Sequence, residues 1–255
     1  MKLTFRTLII ESALFFENYI LAVLFGLSIF HLLGFFIDKF DLLLRVFSIH
    51  SLLNASYKIQ LIASLFIMKF FLIVLYSFCL LGLIMHKPVI HKPHRYREVF
   101  VPLMGTFFYL FYQLIEYVPF QLNFYIVPPD TLSFFIVTGT LLNILGFGIS
   151  IAAVFNLKHA FGIFVETRKM TTAGLYKIVR HPIYLGYCVS AIGICFILPK
   201  TVYIVLSLVI ISFNLYRAVL EESKLLSAYP EYKIYADSTP FILPFKIRGK
   251  HAHSN

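Results

Sequence analysis

The fold of this chain is decided by the stretch RHPIYLGYCVSAIGICFILPKTVYIVLSLVIISFNLYRAVLEE, residues 180–222. Apolar residues fill 182–198, Pro199 and Lys200 interrupt them, and a second apolar run covers 201–220. In hydrocarbon a chain must satisfy its own backbone hydrogen bonds, so both runs are expected to be helices. Proline is also favoured at the first helical position, which Pro182 occupies. The stretch therefore predicts a helical hairpin, residues 182–220, with arms of nearly equal length.

Composition extends this interpretation to the whole chain. Of its 255 residues, 60% are hydrophobic and 13% charged, whereas soluble domains average roughly 45–50% apolar and about 25% charged. This excludes a soluble or disordered protein, and three cysteines are too few for a disulfide scaffold. At about 20 residues per span, we predict an all-α, multi-pass membrane helical bundle. Its six transmembrane helices are expected at residues 13–37, 59–85, 99–118, 132–156, 182–198 and 201–220.

These spans predict two regions. Residues 1–156 form an N-terminal four-helix transmembrane region, and residues 157–255 hold an interfacial segment, the hairpin and a cytoplasmic tail. Of the 22 Lys and Arg, 17 fall on one side of the predicted membrane, together with both termini. The positive-inside rule makes this side cytoplasmic. The net charge of +10 then reflects orientation and contact with anionic lipid, so the lipid bilayer is an expected partner and nucleic acid is not.

Charged residues converge at the cytoplasmic end of the hairpin. Arg180 and His181 precede the first arm, at a helix N-terminus that attracts anions. Near the end of the second arm, Arg217 and Glu221 are one turn apart and able to pair, and Glu222 lies beside them. Acidic residues contribute little to membrane orientation. The mixture of signs therefore predicts a site for a zwitterionic ligand.

Three ordered motifs in this region carry a resemblance. They are GLYKIVRHPIYLGY (residues 174–187), the Arg217 and Glu221-Glu222 block, and YPEYKIYADSTPFILP (residues 229–244); LKHAFGIFVETR (residues 157–168) precedes them. Together they resemble the isoprenylcysteine carboxyl methyltransferase family, which is phospholipid-methyltransferase-like, and they look like its bacterial branch. The similarity covers about residues 155–245 and implies a bacterial inner-membrane protein.

The resemblance implies a methyltransferase that uses S-adenosyl-L-methionine at the cytoplasmic face, with the hairpin forming the cofactor site. Carried over by position, the catalytic residues are His181, Arg217, Glu221 and Glu222. The implied cofactor-binding residues are Tyr176, Arg180, His181, Pro182, Tyr184, Gly186, Tyr187, Glu221 and Glu222. The acceptor is left open among a thiol, a carboxylate and a lipid-like amphiphile. A thiol would give its proton to His181 or a Glu, and Arg217 would be the partner of an anionic acceptor.

Two alternatives compete with this reading. Membrane NAD(P)H-dependent sterol or lipid reductases show a similar R-H-P-x-Y-x-G turn, but their sixth span is usually followed by Arg-Asp, where this chain has Glu221-Glu222. A transporter or channel would use Lys69, Glu17 and Glu116, which are polar residues inside predicted spans. The His-rich loop, residues 86–98, lacks carboxylate or thiolate ligand spacing, so no metal is expected.

Overall fold

The chain folds into α-helices. The computed structural model describes residues 19, 21–47, 56–85, 93, 95–107, 109, 112, 124–157, 162–165 and 170–245. Within these ranges it contains no strand, only an isolated bridge between Tyr125 and Lys200. The α-helices are α1 (Ala22–Asp38), α2 (Phe40–Val46), α3 (Tyr57–Ile84), α4 (Arg97–Thr106), α5 (Leu132–Leu157), α6 (Pro182–Ile197), α7 (Thr201–Ala228) and α8 (Tyr232–Ser238). The predicted all-α class is confirmed.

Long apolar helices make the chain an integral membrane protein. Helices α3, α5 and α7 are long and apolar enough to cross a bilayer, and α1 with α2 adds a fourth candidate, bent by 67°. Helix α6 is apolar but has only 16 residues. Helix α4 covers the first part of the predicted span 99–118. Residues 108, 110, 111 and 113–118 of that span lie outside the described residues. The predicted number of six spans therefore stays a prediction.

The hairpin has the form that the sequence predicts. Helix α6 begins at Pro182, and α7 follows after a turn of three residues. Ser207 of α7 donates a hydrogen bond to the carbonyl of Ala191 in α6 over 3.2 Å. Helix α7 continues to Ala228, eight residues beyond the predicted end of the span. Its charged final turns therefore pass the N-terminus of α6.

Helices α5 and α6 approach each other very closely. A Cβ atom added to Gly146 of α5 would lie 2.6 Å from the carbonyl oxygen of Gly186 in α6. Asn143 adds a hydrogen bond of 3.1 Å from its side-chain amide to the carbonyl of Ser190. Small residues and interhelical hydrogen bonds are the usual means of packing helices in membranes. This contact fixes the beginning of α6 beside the end of α5.

The N-terminal helices complete an aromatic core. The ring of Phe25 in α1 lies 5.1 Å from those of Tyr76 in α3 and Phe107 just after α4. Helix α3 packs on α5, and α4 packs on α7. The N-terminal helices therefore contact α5 and the second arm of the hairpin, α7. The boundary at residue 156 stays a prediction.

Candidate functional site

A polar cavity lies where the beginning of α6 meets the last turns of α7. It encloses about 120 Å³. Of the ten site residues predicted from the sequence, seven line it: Tyr176, Arg180, His181, Tyr184, Tyr187, Arg217 and Glu221. The structure therefore brings the three motifs together around one space. The remaining three residues, Pro182, Gly186 and Glu222, lie next to it without lining it.

The centre of the site is a buried group on facing helices. Tyr184 of α6 donates a short hydrogen bond to Oε1 of Glu221 in α7. The same carboxylate oxygen accepts a hydrogen bond from Nε of Arg217 over 3.2 Å, so the pair predicted one turn apart is formed. The Arg217 guanidinium also lies over the ring of Tyr184, 5.2 Å from its centroid. Glu221 keeps 23% of its side chain exposed, and its second oxygen is thus able to face a ligand.

Arg217 connects three parts of the fold. Its Nη1 donates to the hydroxyl of Thr106 in α4 over 3.0 Å, and its Nη2 donates to the carbonyl oxygen of Ile163 over 2.5 Å. With Glu221, these acceptors occupy all three nitrogens of the guanidinium. The expectation that Arg217 binds an anionic acceptor is thereby weakened, because a bidentate carboxylate would have to displace these partners.

Glu222 faces away from the cavity and holds the surrounding chain together. Its Oε1 lies 3.1 Å from Nε of Arg180 in an ion pair. The same oxygen contacts Nε2 of His181 at 3.1 Å and accepts a hydrogen bond of 2.6 Å from the hydroxyl of Tyr232. The two adjacent glutamates therefore differ in surroundings: Glu221 points to the cavity, whereas Glu222 joins α6 to the C-terminal tail, residues 229–245.

The tail wraps around the N-terminus of α6. The backbone N–H groups of Arg180 and His181 donate to the carbonyls of Pro240 and Phe241, over 2.9 and 3.1 Å. The Arg180 guanidinium donates to the carbonyl of Ala236 over 2.6 Å. Phe241 also places its ring edge against the His181 ring, with centroids 4.9 Å apart. The arginine and histidine of the motif are thus held by the tail as well as by Glu222.

Two tail tyrosines act as neutral hydrogen-bond donors. Burial, and then the hydrogen bond to Glu222, raise the pKa of Tyr232 well above its ordinary value. Burial also raises the pKa of Tyr235 to about 12, against the opposing effect of Arg180. The hydroxyl of Tyr235 donates to the carbonyl of Tyr176 over 2.6 Å. Both phenols therefore keep their protons at physiological pH.

A glycine turn positions Tyr176. Gly174 has φ of 61°, and a Cβ there would collide with the side-chain oxygen of Asn156 at the end of α5. That oxygen accepts a hydrogen bond of 2.8 Å from the N–H of Leu175. A short 3₁₀ helix, Gly174–Lys177, then turns Tyr176 inward, where burial raises its pKa well above the ordinary value. The left-handed conformation makes glycine the suitable residue at position 174.

Gly186 lies against α5, where a Cβ at this position would meet Ser150. Its implied place in the cofactor site stays a prediction. The residue allows the two helices to touch. Pro182 likewise starts α6 without lining the cavity. Both residues shape the site through the backbone.

Several site residues are absent from the sequence prediction. Thr106, Ile163, Tyr232 and Tyr235 all line the cavity. Tyr232 and Tyr235 could have been expected here, because they lie in the tyrosine-rich motif, residues 229–244, that contributes to the resemblance. Ile163 belongs to the stretch 157–168 that precedes the motifs, whereas Thr106 is far from the hairpin in sequence, and no spacing rule identifies either residue as part of the cavity.

Among the described polar residues of the alternative interpretations, Lys69 does not line this cavity. Lys69 places its ammonium over the ring of Phe35 at 3.6 Å, whereas Glu17 and Glu116 of the transporter alternative lie outside the described residues. Residues 86–92 and 94 of the His-rich loop also lie outside them. In the part of the chain that the structure describes, no group of three or more His, Cys, Asp or Glu side chains is suited to a metal.

Fold and site together define a multi-pass membrane protein with a polar cavity at the end of a helical hairpin. Residues 134–232 match the model of the family described as phospholipid methyltransferase. The matched stretch begins in α5, contains the whole hairpin and ends at Tyr232. The resemblance seen in the sequence is thus confirmed at the level of a membrane methyltransferase family, to which residues 134–232 are similar. No curated protein matches the chain.

Proposed function

We propose that the protein transfers a methyl group from S-adenosyl-L-methionine to a lipid-like amphiphile at the cytoplasmic face of the membrane. The observation that carries this proposal is Glu221, which is the one carboxylate among the described cavity residues and lies opposite the N-terminus of α6. An acidic group facing the positive end of a helix suits a ligand with separate cationic and anionic groups. The family match supports the reaction class.

The residues present fit this cofactor by charge. When bound, it supplies a methyl group on a sulfonium, which is already an activated leaving group. Glu221 would hold a cationic ligand group, since one of its oxygens is oriented by Tyr184 and Arg217 while the carboxylate remains partly exposed. Ile183 in the first turn of α6 lines the cavity, so the N-terminus of this helix would be the partner of an anionic ligand group.

The chain contributes alignment and exclusion of water rather than strong acid–base chemistry. Tyr176, Tyr184 and Tyr187 surround the reacting centre with buried aromatic surface, and positioning of this kind accounts for much of the rate of such transfers. His181 lines the cavity and is oriented by Glu222. It is therefore the candidate base for an acceptor that must lose a proton.

The occupation of Arg217 favours a lipid-like acceptor over a carboxylate. Its three nitrogens already contact Glu221, Thr106 and Ile163. The description of the matched family, phospholipid methyltransferase, points to the same class of acceptor. The excess of basic residues on the predicted cytoplasmic side supports the proposed membrane face.

Binding requires the site to open. The cavity of about 120 Å³ is smaller than the roughly 300–1,000 Å³ of most small-molecule sites. The tail is attached to the site by hydrogen bonds, and its other side is exposed. It is therefore the part that can move without disturbing the packed helices. We therefore expect the tail to open for cofactor entry and to close over the bound cofactor.

Thermal unfolding of the purified protein in detergent tests the proposal. A ligand at about 100 times its Kd stabilises the folded state by about 2.7 kcal/mol, which for a chain of this size raises Tm by roughly 5–10 °C. We expect this rise with S-adenosyl-L-methionine, its loss in Glu221→Gln, and its retention in Lys233→Met, which alters an exposed tail residue. A rise with NADPH and none with S-adenosyl-L-methionine would establish the reductase alternative instead.

The acceptor is identified by a second experiment. Purified protein is incubated with a whole-membrane extract and a cofactor that carries a labelled methyl group. The proposal expects the label in the lipid fraction. Label recovered only in protein or in a volatile thiol would contradict the lipid-like acceptor while preserving the methyltransferase assignment.

A further inference from the structure

One side of the cavity is formed by residues 162–165, which we name the wall segment, and this segment is attached to α7 at two points. Arg217 donates to the carbonyl oxygens of the first two wall residues, over 3.5 and 2.5 Å. Lys224 donates from Nζ to the carbonyl oxygen of Val165 over 2.7 Å. Positions 217 and 224 are seven residues apart and share one face of the helix. The wall segment therefore lies along that face.

The second attachment includes a residue from the N-terminal region. Oε2 of Glu98 in α4 lies 2.7 Å from Nζ of Lys224. The backbone carbonyl of Glu98 also accepts the N–H of Val165 over 3.0 Å. Both backbone polar groups of Val165 are thus bound, and Glu98 is buried at 8% exposure. We name this arrangement of Glu98, Lys224 and the Val165 backbone the clamp.

The clamp is placed to set the width of the cavity. Glu221 lies four residues after Arg217 and three before Lys224, so it shares their helix face. It lines the cavity from α7, while Ile163 and its two neighbours, positions 162 and 164, line it from the wall segment. The two attachments therefore hold the wall segment across from Glu221. Neither Glu98 nor Lys224 lines the cavity, so any effect of the clamp on a ligand is indirect.

Burial of an ion pair does not by itself make it a strong contribution to stability. Replacing such a pair with apolar residues of similar volume is often neutral or stabilising, whereas removing one partner leaves an uncompensated buried charge. The clamp is therefore better explained by the position that it gives to the wall segment than by its contribution to folding. This difference makes the two roles separable by experiment.

We propose that Glu98 and Lys224 are positioning residues for the methyl-transfer site, which act by holding the wall segment against α7 opposite Glu221. The proposal rests on the proposed function for its effect on the cofactor. Its effect on the wall segment does not depend on that function. Through the clamp, the N-terminal region takes part in the site although the matched family domain begins only at residue 134.

The experiment compares four variants with the wild type in detergent. Lys224→Met removes the donor and the ion pair with Glu98, Lys224→Arg keeps a charged donor, and Glu98→Met with Lys224→Met replaces the pair with apolar residues. Lys233→Met is the control, because it removes the same charge from an exposed position of the tail. Three quantities are measured: Tm, the Kd of S-adenosyl-L-methionine, and amide hydrogen exchange of the wall segment, which reports local opening.

We expect Lys224→Met to lower Tm, raise the Kd about tenfold and speed exchange of the wall segment at least tenfold. The double variant should recover Tm while keeping the raised Kd and the fast exchange, and Lys224→Arg and Lys233→Met should match the wild type. Recovery of Kd together with Tm in the double variant would overturn the proposal, as would unchanged exchange in Lys224→Met. If the wild type binds no cofactor but exchange responds as stated, the proposed function fails and the clamp stands.

Discussion

Replacing Glu222 with glutamine is expected to release the C-terminal tail. One oxygen of this carboxylate contacts Arg180 and His181 at 3.1 Å and Tyr232 at 2.6 Å, with only 15% of the side chain exposed. Hydrogen bonds to charged groups contribute roughly 1.5–3 kcal/mol and those between neutral groups about 0.5–1.5. Neutralising the shared acceptor therefore weakens attachment of the tail by about 2 kcal/mol, and its open population rises roughly thirtyfold.

Limited proteolysis measures this population. Lys233 is exposed in α8, one residue after Tyr232, and cleavage after it by trypsin requires the tail to leave α6. When opening is fast relative to cleavage, the cleavage rate follows the open population. We expect a roughly thirtyfold faster cut in Glu222→Gln, identified by mass spectrometry.

Glu221→Gln is the matched control, since it makes the same chemical change at the neighbouring residue. Glu221 contacts Tyr184 and Arg217 rather than the tail, so cleavage after Lys233 should stay at the wild-type rate while cofactor binding is lost. Equal cleavage rates in the two variants would refute the division of roles between the glutamates.

Three further predictions follow from the geometry. Gly174→Ala should lower the free energy of unfolding by about 1–2 kcal/mol, because φ is 61° there. Gly148→Ala, with open space at its Cβ, should not lower it. Equal losses in denaturant titrations would show that the left-handed conformation is not the cause. Tyr232→Phe should speed tail cleavage roughly thirtyfold, since it removes a hydrogen bond of about 2 kcal/mol to a charged carboxylate. An unchanged rate argues against that bond. Arg217→Lys should lower methyl-transfer kcat at least tenfold, because a single ammonium cannot reach both Glu221 and Thr106 as the guanidinium does. Full activity would show that Arg217 is not needed to orient Glu221.

The hairpin could be predicted from the sequence because local rules determine it. A proline at the first helical position and two apolar runs around Pro199 define its ends, and the structure begins α6 at Pro182 as expected. The span predicted at 132–156 is likewise found as Leu132–Leu157. Helix α7 continues to Ala228, beyond the predicted end of the span at residue 220, because helix-forming residues continue after hydropathy falls at Glu221.

The contacts that distinguish the site residues from one another could not be predicted from the sequence. Sequence spacing puts Arg217 and Glu221 on one face, but it does not show that Thr106 and Ile163 bind the same guanidinium. Such contacts join positions more than 50 residues apart and arise only when the helices pack. The adjacent glutamates were equivalent in the sequence for the same reason. The position of Glu98 at the end of the His-rich loop likewise does not indicate its contact with Lys224.

The tail contacts have a consequence for the synthesis of the protein. The N–H groups of Arg180 and His181 are bound by Pro240 and Phe241, which leave the ribosome about 60 residues later. A chain is made from its N-terminus, and earlier parts fold first. The hairpin can therefore insert before its site is complete. The cavity acquires its last side only near the end of translation, so a truncated product ending before residue 240 would be a folded membrane protein without a closed site.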